Sequence, residues 1–157
     1  MAFIQEQGID SIDELNKSLS DAQTEYQSAS SALREADAKL KSVNEAIHHL
    51  GVYLSRKKLY REFLHAKNKG AFRAAHRKEI DEYEGSSAFL KKQYGEGGFP
   101  SMKTLKADKA CLSKQRSYQR ETLRQSREVR NTMSIIYSNV KAILAQQPFR
   151  EKSQHLL

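Results

Sequence analysis

Between Ile12 and Leu54, small or apolar residues recur at alternating steps of three and four: Ile12, Leu15, Leu19, Ala22, Tyr26, Ala29, Leu33, Ala36, Leu40, Val43, Ile47, Leu50 and Leu54. Only a helix brings positions so spaced onto one face. The mean step is about 3.5, below the 3.6 of a straight helix, which asks for a partner helix and left-handed supercoiling. Asp, Glu, Lys, Ser and Gln fill the other faces, so a lone helix would leave the stripe in water. The pattern demands a long helix in a coiled coil or bundle. It says nothing of function.

The rest of the chain fits that demand. Of 157 residues, 38% are apolar and 29% charged, with only 7 Gly and 2 Pro, a balance that suits helices and argues against a sandwich or barrel. Ser11-Ile12-Asp13-Glu14 reads as a capping box opening a helix over 11–67, after a lead-in of residues 1–10. Asn68-Lys69-Gly70 is a stop signal. A short helix is expected from Ala71 to Tyr83, ended by Gly85, and another from Ser86 or Ser87 to Tyr94. Gly95 to Pro100 is a loop, and Ser101 caps a return helix over 101–147, before Pro148 and a tail over 148–157. The return helix offers Val129, Met133, Ile136, Val140 and Ile143 as its seam, with Ile143 expected near Leu15 and Leu105 near Leu50. The expected fold is all-α, a single helical domain over 11–147. It would be a long antiparallel coiled-coil helical hairpin, with the two short helices of 71–94 capping one end.

Charge is uneven along the chain. Residues 1–50 hold 4 Lys/Arg against 9 Asp/Glu, a balance of −5. Residues 51–120 hold 17 against 7, or +10, and residues 121–157 hold 6 against 3, or +3. A concentrated positive segment points to a polyanionic partner. The residues expected to contact phosphates are Arg56, Lys57, Lys58, Arg61, Lys67, Lys69, Arg73, Arg77 and Lys78, with Lys103 to Arg120 opening the return helix beside them. Tyr53, Tyr60, Phe72, Tyr94, Phe99 and Tyr118 are interleaved with these cations. Exposed rings among them can stack bases, but most are expected in the core.

No catalytic set is legible. His76 and Glu79 share a helix face near His65, two ligands at best where a metal cage needs three. Cys111 lacks a base partner and reads as a small core residue. A single cysteine excludes an intrachain disulfide and fits a reducing compartment. No apolar run reaches the roughly 18 residues that span a bilayer, and Met1 to Ile4 is too short for a secretion signal. Neither a cofactor nor a membrane partner is expected.

One set of fragments does resemble a known family. Tyr53 with Tyr60, then Phe72-x3-His76-x2-Glu79-Ile80, then Phe99-Pro100-Ser101-Met102-Lys103-x-Leu105, then Tyr137-Ser138-Asn139-Val140-Lys141-x-Ile143-Leu144 follow one another in this order. With the preceding heptads, from about Ile9 to Leu144, they are similar to the helical C-terminal region of relaxases. These are the mobilisation nucleases of bacterial plasmids and integrative conjugative elements. Relaxases nick with an N-terminal domain that carries a nucleophilic tyrosine and a metal-holding histidine triad. His48-His49 lacks the His-hydrophobe-His pattern, so no catalytic residue carries over. The resemblance implies a non-catalytic accessory region of a DNA-processing protein in the bacterial cytoplasm, assisting binding of transfer-origin DNA. The alternative it implies is a coiled-coil module that dimerises or docks relaxosome or coupling proteins.

Overall fold

The computed structural model describes residues 12–154. Among them are four helices and no strand: α1 (Ile12–His65), α2 (Lys69–Ala75), α3 (Arg77–Tyr94) and α4 (Met102–Gln154). The chain is all-α. None of these helices is long and apolar enough to cross a membrane. The expected lead-in and the Ser11 cap lie outside the described residues.

The chain divides into two compact units: residues 12–35 with 116–154, and residues 36–115. In the first unit, Leu15, Ala22 and Met133 form a buried cluster flanked by Leu19, Ile136, Tyr137 and Val140. Tyr26 meets Arg130, and Ala29 and Ala32 share a cleft with Tyr118, Gln119 and Thr122. Numbering therefore rises along α1 as it falls along α4 within this unit. The seam of α4 differs from the expected one at two places, because Val129 is 50% exposed and Ile143 is 57% exposed. The position next to Val129 explains the first. Arg130 lies with its guanidinium 4.0 Å from the Tyr26 ring centroid, so a cation over an aromatic face fills the inward site, and its aliphatic stem covers apolar surface. Val129 is then rotated by about 100° out of the seam. The buried cluster that holds Leu15 is flanked from α4 by Ile136, Tyr137 and Val140.

In the second unit, Ala46 and Leu50 of α1, Leu90 of α3 and Leu105 of α4 form one buried cluster, with Tyr53, Phe89, Tyr94, Phe99 and Met102 packed around it. Three helices thus meet at one core. Cys111 does not join it. It is exposed, one residue off the inward stripe that holds Leu105 and the half-buried Leu112.

The boundaries differ from the expected ones in four places. The first helix ends at His65 rather than at residue 67. Asn68 is a start signal rather than a stop: its Oδ1 accepts from the Ala71 N–H at 3.0 Å and caps α2, which takes in Gly70. The break between the short helices falls at His76, whose φ of −123° and ψ of 33° leave the helical region, while Gly85 stays inside α3. And α4 runs through Pro148 to Gln154 instead of ending at Gln147, although a proline inside a helix forfeits a backbone bond. The cap expected of Ser101 is present, its Oγ accepting from the Thr104 N–H at 3.1 Å.

Gly85 yields a direct prediction. It is exposed in mid-helix, and a Cβ built on it meets nothing within 4 Å. Gly85→Ala should therefore raise stability by about 1 kcal/mol, the propensity difference at a helix interior. Urea denaturation followed by circular dichroism reads it, and a destabilised variant would contradict the unstrained helical backbone at that position.

Candidate nucleic-acid interface

The nine cations expected to bind phosphate all belong to the second unit, and the fold sorts them into two groups. Four are engaged by carboxylates of α3. Arg56 of α1 bonds Glu82 at 3.1 Å, its side chain 38% exposed. Arg73 of α2 bonds Glu84 at 2.6 Å and lies 3.7 Å from Asp81. Arg77 and Lys78 make longer pairs within α3, to Asp81 at 3.8 Å and to Glu82 at 3.9 Å. Arg56 and Arg73 thus tie α3 to α1 and to α2, the second pair spanning the break at His76. Arg77 and Lys78, each 83% exposed, are held weakly at best. The amino-acid sequence does not show which cations Asp81, Glu82 and Glu84 face, so these four look free until the helices are folded.

Lys57, Lys58, Arg61, Lys67 and Lys69 form no ion pair among the described residues, and all five are exposed. They lie on the last three turns of α1, in the α1–α2 connection and at the first residue of α2. Lys57 sits 6.0 Å from the Tyr53 ring centroid, a distant cation–π contact. Lys103, Lys106, Lys109 and Lys114 are likewise exposed on α4 of the same unit. With cations free of carboxylates, this surface can neutralise phosphates one for one.

The aromatic residues are spent largely on each other. Phe99 stands edge-on to Tyr53 at 5.3 Å, Tyr53 stacks on Tyr83 at 5.0 Å, and Tyr83 stacks on Tyr60 at 4.0 Å. The row continues through Phe63 and Phe72 to His76, at 5.6, 6.1 and 4.6 Å. Burial first, then the hydrogen bond with Tyr53, pushes the Tyr83 phenol up to about 12. Tyr83, three residues from the fully buried Ile80, takes the packing role that its spacing with Phe72, Ala75 and Ile80 offers in the sequence.

His49 is a packed side chain. Its ring stacks on Phe89 at 4.0 Å, and its Nδ1 lies 3.0 Å from the buried Ser86 Oγ. Burial, with the neighbouring His48 adding to it and Glu45 opposing, holds His49 below the ordinary imidazole value of 6.5. The folded state therefore prefers neutral His49, while the unfolded chain takes up its proton near pH 6.5. The stability this gives is complete above pH 6.5 and is lost as pH falls through the lower folded value. Melting temperature should accordingly drop from pH 7.5 to pH 5.5, and by less in His49→Gln. Equal drops in the two proteins would rule His49 out as the cause. No three His, Cys, Asp or Glu come together in a metal-holding group among the described residues.

Comparison with protein-family models, curated proteins and solved structures found no match.

Proposed function

We propose that this chain is a non-catalytic helical module that holds DNA by its phosphates. Its surface for this runs from Lys57 to Lys69, in the manner of an accessory region of a bacterial relaxase at transfer-origin DNA. The observation that carries this is the set of five exposed cations without carboxylate partners, in the segment of the chain with a +10 balance. In this reading α1 and α4 pair as a long antiparallel coiled-coil hairpin, and α2 and α3 cap one end, so that the cations converge. Phosphate contacts position a protein without reading sequence. The chain should therefore bind single-stranded and duplex oligonucleotides of unrelated sequence with affinities within about threefold of each other by class. Competition binding against two scrambled sequences tests it. A strong preference for one sequence would replace phosphate holding by base recognition.

A second reading rests on the first unit. Val129, Ile135, Ile143 and Leu144 of α4 are exposed apolar side chains, which suits a module that dimerises or docks protein partners of the relaxosome. Light scattering at tens of micromolar separates the two, since the DNA reading needs no dimer.

A further inference from the structure

The second unit contains a cavity of about 560 Å³ between α1, α3 and the loop that leads into α4. Small-ligand pockets occupy about 300–1,000 Å³ and pair an apolar lining with a few polar groups. Leu50, Tyr53, Phe99 and Met102 make the apolar lining here, and Lys57, Lys91 and Glu96 supply the charge. Neither lysine pairs with a carboxylate among the described residues, and both are exposed. The loop residues that complete the wall, Gly98 to Ser101, deliver the first turn of α4 to the same place. The Ser101 side chain already satisfies Thr104, and the Ser101 carbonyl takes the Leu105 N–H. That leaves the backbone donors of Met102 and Lys103 outside the intrahelical set, at the positive end of the helix dipole.

An apolar site walled by two aromatic rings, with two ammonium groups and a helix start beside it, is complementary to a flat apolar body that carries a negative charge. A nucleobase attached to its phosphate has that form. A hydrocarbon chain would leave both lysines idle, and a sulfate or free phosphate would leave the rings idle. Lys57 joins the cavity to the cationic surface, since Lys58 and Arg61 continue from it along the last turns of α1. We infer that this cavity receives one unpaired nucleotide of a bound DNA strand, its base against Phe99 and Tyr53 and its phosphate at Lys57 and Lys91. Glu96 gives an amino group of the base an acceptor. The inference rests on the DNA-holding reading above and adds to it a preference for single strands, because a base within a duplex is not free to leave the stack.

The test compares three labelled 12-mers in fluorescence anisotropy at 50 mM salt: a single strand, the same strand with an abasic site at every third position, and its duplex. The full chain should bind the intact strand about tenfold more tightly than the abasic one, which is at the low end of what one stacked base contributes. Phe99→Leu, which keeps an apolar side chain in the core, should erase that difference and leave duplex affinity unchanged. Lys91→Gln, on an exposed position that cannot compromise folding, should weaken single-strand binding about threefold and duplex binding not at all. Equal affinity for intact and abasic strands, with duplex binding present, overturns the nucleotide pocket and leaves the phosphate surface standing. No binding to any of the three overturns both.

Discussion

Replacing Lys58, Arg61, Lys67 and Lys69 together by Glu should lower DNA affinity at 50 mM salt by at least about 100-fold, with the melting temperature within about 8 °C of the parent. The magnitude follows from counterion release. Each phosphate neutralised adds about 0.9 to the salt exponent on duplex DNA, so losing four contacts is multiplicative, and four new like charges add repulsion. The four residues are chosen because the fold leaves them exposed and without a carboxylate partner. Surface changes of that kind are usually within about 0.5 kcal/mol each in stability. The neighbouring cations do not allow so clean a test. Arg56→Glu would set two carboxylates together where Arg56 now bonds Glu82, and Arg73→Glu would do the same at Glu84. A loss of binding in those variants would mix a lost contact with a loosened tie to α3. Unchanged affinity in the fourfold variant, with folding intact, would remove this surface from the function.

The second large effect is on stability. Leu90→Ala should cost about 3 kcal/mol, within the range of about 2–5 for truncating a buried leucine. Leu90 is fully buried and joins Ala46 and Leu50 of α1 to Leu105 of α4. Its removal leaves a cavity where three helices meet. Leu54 is the internal comparison, because it is 49% exposed although it continues the same heptad series in the sequence. Leu54→Ala should cost under about 1 kcal/mol. In urea, Leu90→Ala should shift the midpoint without changing the slope. Two variants of equal stability would mean that α3 does not seal this core.

Much of the fold is written in the spacing of apolar residues. The heptads from Leu15 to Leu50 identify α1, because a repeat sustained over that length has one physical solution. The breaks were less legible. Asn68 and Gly70 suit a helix end and a helix start equally, and what decides is whether the Asn68 side chain caps forward onto Ala71. Gly85 looked like a terminator, yet α3 absorbs it because Ile80, Ser86 and Leu90 on either side are buried, and tertiary packing outweighs about 1 kcal/mol of propensity. Val129 matched the seam by type, but Arg130 took the place through Tyr26, an interaction that a count of apolar positions does not register. At the candidate interface the sequence identified which residues are basic. It did not separate Arg56 and Arg73, which brace the helices, from Lys58, Arg61, Lys67 and Lys69, which stay free. That separation depends on three acidic residues of α3 whose partners lie on other helices.

DNA held by charge on this surface must be released by salt, and fluorescence anisotropy of the chain with a labelled duplex, at 50 and 200 mM salt, measures that release. Five free cations on five phosphates give a slope of log K against log salt of about −4.5, so affinity should fall about 500-fold between the two conditions. Binding that does not change with salt, or no binding at either salt, would contradict phosphate holding and move the function to the apolar residues exposed on α4.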